Sequence, residues 1–121
     1  MADAPPVIDT AFLAAAAAAE LEDWGPLEEA AAGTPMSVRG LTAWWADSSG
    51  AEAGIWECTA GPSYWVQEEN EVIYVLSGTL TVTPDGGQPV TPGPGDVAVF
   101  PRGGHGPWEL HETVRKAYVV F

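Results

Sequence analysis

Basic residues are nearly missing from this chain of 121 residues: Lys and Arg together number 4 against 17 Asp and Glu, for a formal net charge of −13. A surface this acidic repels phosphate over roughly the 10 Å that charge carries in salt. Nucleic acid and anionic membrane are therefore excluded as expected partners. Cysteine is equally scarce. Cys58 stands alone, so neither an internal disulfide nor a zinc site built on paired cysteines can form. No Lys or Arg precedes Arg39. Without a basic leading segment, the apolar run Ala14–Ala19 does not read as a secretory signal. No stretch reaches the roughly 18 apolar residues of a membrane span. The expectation is a soluble protein in reducing, cytoplasmic surroundings.

What is present is apolar and heavily punctuated. Hydrophobic residues make up 46% of the chain, enough to build a core and too many for a disordered segment. Gly 14 and Pro 11 argue for short elements joined by turns rather than a helical bundle. The chain divides near residue 38. Ahead of it, residues 1–37 read as an N-terminal arm. Asp9 or Thr10 caps an expected helix from about Ala11 to Asp23, alanine being the best helix former. Gly25-Pro26 ends it, and Glu20, Glu22 and Asp23 crowd the end that the helix dipole leaves negative.

From Val38 to Phe121 the pattern is β. Expected strands are Val38–Ala46, Ala53–Thr59, Ser63–Gln67, Glu71–Leu76, Thr79–Thr83, Asp96–Phe100, Gly106–His111 and Val114–Phe121. Thr79-Leu80-Thr81-Val82-Thr83 alternates as a half-buried strand does. Ser77-Gly78 between two such runs predicts a hairpin, and Pro84-Asp85-Gly86-Gly87 and Pro92-Gly93-Pro94-Gly95 read as turns. Strands so short and so regularly spaced point to a sandwich or barrel. No phosphate loop, Ser-His-Asp set or dinucleotide fingerprint is present.

Glu71–Gly78 (EVIYVLSG) and Gly95–Gly103 (GDVAVFPRG) resemble the two motifs of the cupin superfamily, G-x5-H-x-H-x3,4-E-x6-G and G-x5-P-x-G-x2-H-x3-N. Glu71 stands six residues before Gly78, and Gly95, Pro101 and Gly103 hold the second spacing. GIWECTAG (Gly54–Gly61), ENEVIYVLSGTLTV (Glu69–Val82), PWELHETVRKAYVVF (Pro107–Phe121) and DWGPLEE (Asp23–Glu29) resemble a subfamily of small cupins labelled ureidoglycine-aminohydrolase-like. The resemblance implies an all-β cupin jelly-roll barrel over residues 38–121, carrying the short helical arm, and a homodimer. It also implies a metal held by two His and the Glu of the first motif and one His of the second. Here those His positions fall on Trp65, Gln67 and Gly106, and the closing Asn position falls on Leu110. Glu71 alone stays in register. His105 comes one residue early, and on a strand one residue turns a side chain to the other face. No metal or other cofactor is therefore expected, with Gln67, Glu71 and a displaced His105 as the one set that could hold a divalent ion.

The residues left to carry chemistry are Glu71 and His105. A carboxylate enclosed by the barrel beside an imidazole suits general acid/base work; alternatively Glu71 is a hydrogen-bonded structural group. Six Trp either fill the core or line a site for a planar ligand, and Trp56, Trp65 and Trp108 converge in such a barrel with Gln67. Cys58 shares a face with Trp56 and reads as an inert buried thiol. His111 reads as an exposed residue at a strand end. Arg115 and Lys116 are adjacent and face opposite ways on a strand, so one of them can enter the core or barrel; either pairs with a carboxylate such as Glu109 or Glu112, or anchors a substrate anion. The functional expectation is a cupin that binds a small molecule in the barrel mouth. It would act as a metal-independent acid/base isomerase, dehydratase or cyclase through Glu71 and His105. The alternatives are a metal-dependent aminohydrolase-like cupin and a ligand-binding module without turnover.

Overall fold

The computed structural model describes residues 15–46 and 48–121. Nine strands and no helix occur among them: β1 (Glu22–Pro26), β2 (Ser37–Trp45), β3 (Glu52–Cys58), β4 (Gly61–Val66), β5 (Glu71–Ser77), β6 (Leu80–Val82), β7 (Val97–Phe100), β8 (His105–Leu110) and β9 (Val114–Val120). Each of the strands expected after residue 37 forms, with ends shifted by no more than two residues. They build a six-stranded antiparallel sheet in the order β1-β2-β3-β9-β5-β7 and a three-stranded antiparallel sheet in the order β4-β8-β6. This is an all-β architecture consistent with the jelly-roll cupin.

Alternation decides what enters the core. On β5, Glu71, Ile73 and Val75 are buried; on β8, so are Gly106, Trp108 and Leu110. These inward rows meet Trp56 and Cys58 of β3 and Val114 and Tyr118 of β9. Burying a row of side chains this large is the main favourable contribution to folding, at roughly 25 cal/mol per Å² of apolar surface.

The expected helix is corrected. Residues 11–14 of it lie outside the described residues. In the remainder, 16–18 form a turn and β1 starts at Glu22. The carbonyls of Ala16 and Ala19, which a helix would use internally, instead each accept 3.1 Å hydrogen bonds from Arg115 Nη1. The backbone from Glu22 to Pro26 then pairs with β2, where Trp24 lies over the bare face of Gly40. Tertiary partners thus outcompete the helix propensity of alanine.

The Ser77-Gly78 hairpin is also corrected. β5 pairs with β7 and β9, whereas β6 pairs with β8 in the other sheet. Gly78 takes φ 80° and packs so tightly that a Cβ there would stand 2.2 Å from the Thr113 carbonyl oxygen. Only glycine fits both the left-handed turn and that approach, and the chain crosses between sheets there instead of folding back.

Candidate functional site

Lys116 lies on β9 opposite Trp56 of β3 and Val75 of β5. Its neighbours two residues away, Val114 and Tyr118, face inward, and the pleat sends Lys116 the same way. Its side chain is 4% exposed and its Nζ donates a 2.8 Å hydrogen bond to Glu71 Oε2, the Glu71 side chain being 10% exposed. Two ions removed from water this far need each other. Indoles complete the setting: Nζ stands 4.4 Å from the Trp56 ring centre and 4.9 Å from that of Trp108, where the negative faces of the rings attract a cation.

Trp65 links the aromatic set, 6.3 Å edge-on from Trp56 and 4.9 Å from Trp108. It is oriented by a 2.9 Å hydrogen bond from its Nε1 to Ser63 Oγ, and Ser63 in turn donates to the Trp108 carbonyl. Together Trp56, Trp65, Gln67, Glu71, Lys116 and Tyr118 border a cavity of about 320 Å³, a size suited to a small metabolite. Glu29, Glu52, Glu68 and Glu69 add four more carboxyl groups to its wall. Tyr118 Oη donates to Glu52 Oε2 at 2.5 Å; burial first, and then that bond to an anion, push the phenol well above its ordinary pKa.

The structure therefore gathers Trp56, Trp65, Gln67 and Glu71 around one cavity, but His105 is elsewhere. His105 opens β8 on its exposed face, alternating with buried Gly106 and Trp108. Its Nδ1 is 2.7 Å from Asp85 Oδ2 and 3.2 Å from Tyr64 Oη. The expected acid/base couple of Glu71 and His105 is thus not a hydrogen-bonded pair: Glu71 meets Lys116 and His105 meets Asp85. Trp108 and His105 border a second cavity of about 200 Å³, which shares Trp65 and Gln67 with the first.

The metal positions implied by the cupin resemblance do not fit a divalent ion. Glu71 borders the first cavity and is bound to Lys116, while His105 borders only the second and is bound to Asp85. The one in-register carboxylate already holds an ammonium ion. At Gly106 a Cβ would stand 2.3 Å from the Thr83 carbonyl oxygen, leaving no room for a histidine. Among the described residues, no group of three or more His, Cys, Asp or Glu gathers as a ligand set.

The basic pair behaves otherwise than expected. Both members are buried, and their partners are Glu57 and Glu71 rather than Glu109 or Glu112. Arg115 Nε donates to Glu57 Oε2 at 3.0 Å. Lys116, Glu52 and Tyr118 are the site residues that sequence reasoning left out of its chosen set. For Lys116 the signal existed, in the apolar residues two positions to either side; nothing local marks Glu52. Cys58 is fully buried, and burial pushes its thiol up to about 11 against the opposing pull of Lys116. His111 is exposed, 2.7 Å from Thr81 Oγ1.

The model of the EutQ-like cupin domain family matches residues 46–118. A crystal structure of a DUF861-family protein of unknown function from Pseudomonas syringae pv. tomato superposes with TM-score 0.77 at 20% identity, over 87% of this chain and 46% of that one. This chain thus spans about half the length of that relative. The EutQ protein of Clostridium difficile matches with TM-score 0.62 and 23% identity over 71% of this chain and 68% of its own. A DUF861-family protein of Thermotoga maritima is 36% identical over 55% of this chain and 76% of its own, with TM-score 0.54. No curated protein matches the chain.

Proposed function

The chain belongs to the EutQ-like cupin domain family, and from that premise we propose that it binds a small molecule in the cavity floored by Glu71 and Lys116. The observation that carries this reading is the buried ion pair itself, set against the indoles of Trp56 and Trp108 and open to a cavity. Such a pair adds little to stability over well-packed apolar residues. Its position at a cavity suits recognition and proton transfer. Glu71 accepts or returns a proton, and Lys116, rather than His105, is the group hydrogen-bonded to it. The chemistry this supports is metal-independent: isomerisation, dehydration or cyclisation of a metabolite that can lie against an indole face. The four glutamates of the wall oppose anionic ligands, so neutral or positively charged compounds are favoured. The aminohydrolase chemistry implied by the subfamily resemblance needs a metal, and the side chains at those positions do not make a site for one.

The test is a metabolite panel, neutral compounds and amines against carboxylates, titrated by tryptophan fluorescence and followed in D2O by proton NMR. A compound that binds and exchanges C–H protons supports catalysis. Exchange should fall by about 100-fold when Glu71→Gln is combined with Lys116→Met, which removes the charge pair together. Saturable binding without exchange leaves a binding module. Preference for carboxylates over the other compounds would overturn the proposed specificity.

The same proposal includes a homodimer. Val72 and Tyr74 of β5 stand opposite Val99 and Val97 of β7, and Val119 of β9 flanks Val72; all but Val72 are largely exposed. Light scattering coupled to gel filtration should give twice the chain mass, and Val99→Lys should shift it to monomer. A monomer in the unaltered protein would refute this part.

A further inference from the structure

Resting on the reading of the Glu71 cavity as a binding site, we infer that Lys116 is a nucleophile there and that the ligand class is an aldehyde or ketone, held as an imine on Nζ. Lys116 is the only lysine in the chain. It stands not on the surface but at the cavity, its side chain 4% exposed. Lysine is almost never buried without a partner for its charge. Where charge alone is needed, arginine grips a carboxylate through two hydrogen bonds and never loses its proton. Lysine offers what arginine lacks, an amine that releases a proton and attacks carbon.

The path for that proton is already in line, because Glu71 Oε2 accepts the 2.8 Å hydrogen bond from Nζ. Transfer along it leaves a neutral amine beside a carboxylic acid. The nitrogen lone pair then bonds to the carbonyl carbon. The C=O π pair moves to oxygen, which takes a proton from the nitrogen. Glu71 returns its proton to that hydroxyl, which leaves as water. An ammonium ion and a carbonyl compound have become an iminium ion and water, with the charge unchanged. The new cation keeps the place of the old one, beside Glu71 and the indoles of Trp56 and Trp108, whose ring faces attract it. Imine formation therefore does not strand a buried carboxylate, as loss of the charge would. Glu71, again ionised, is the base for the carbon next to the iminium.

The probe is benzaldehyde with sodium cyanoborohydride, which fixes any imine as a benzylamine. The chain holds only two amines, Lys116 and the α-amino group. At neutral pH in water, roughly 300-fold more of an α-amine than of an ordinary lysine is unprotonated, so ordinary reactivity labels the α-amine first. Peptide mass spectrometry of the folded protein should instead find Lys116 labelled ahead of the α-amine. The order should reverse in guanidinium chloride. Glu71→Gln, kept where circular dichroism shows it folded, should slow Lys116 labelling by about 100-fold and leave the α-amine unaffected; an equal rate would overturn the proton path. Saturation-transfer NMR reports binding separately. Binding with label confined to the α-amine overturns the inference and leaves the cavity as a binding site. Neither binding nor Lys116 label, with benzaldehyde and with cyclohexanone, overturns both.

Discussion

Lys116 and Glu71 make the sharpest residue-scale case, because each is intelligible only with the other. Alone, a buried ammonium ion or carboxylate would be neutralised or expelled. Paired at 2.8 Å and faced by indoles, both stay inside. Lys116→Met and Glu71→Gln should each lower unfolding free energy by about 3–5 kcal/mol, since each strands a buried partner. The double variant should cost clearly less than the two together, and a double-mutant cycle in urea reads the coupling directly. Additive losses would mean that the pair is not a pair in solution. Glu71 was legible in the sequence through its six-residue spacing to Gly78. Its partner was not, because Lys116 lies 45 residues further along and pairing between β5 and β9 is a property of the sheet.

At the scale of elements, an offset of one residue on β8 decides which side chain enters the core. The inward position is Gly106, and the histidine is displaced to the outward position beside it. Gly106→His would recreate the family spacing, yet its Cβ would collide with the Thr83 carbonyl oxygen at 2.3 Å. The variant should lose about 1–3 kcal/mol from overpacking and still bind no zinc in a titration monitored by calorimetry. Stoichiometric zinc with unchanged stability would show that the β6–β8 approach is not rigid. Strand positions were readable from alternation throughout residues 38–121, because period-2 patterning is local. β1 was not readable. Its five residues, EDWGP, have little strand propensity, and their pairing depends on β2 offering an edge and Gly40 making room for Trp24.

For the molecule as a whole, burial of weak acids ties stability to alkaline pH. Cys58 moves from an ordinary value of 9.0 up to about 11, and Tyr118 rises further from its ordinary 10.0. Both groups keep their protons longer when folded. Their contribution is therefore complete below about pH 9 and is lost as pH climbs through the folded values. Urea midpoints should fall steadily from pH 9 to 11, and Tyr118→Phe with Cys58→Ala should flatten that slope; an equal slope in the double variant would locate the titration elsewhere. The scarcity of basic residues takes on a definite meaning at this scale. Of the three after residue 60, Arg115 and Lys116 are both consumed inside, one pinning Ala16 and Ala19 beside Glu57 and the other neutralising Glu71. By itself the sequence determined the all-β class and the strand positions, since alternation, turn residues and motif spacing are written along the chain. Only the tertiary structure decided that Glu71 answers to Lys116 and His105 to Asp85. Those partners are set by which strands pair and which face each side chain takes, and no local stretch of sequence contains both.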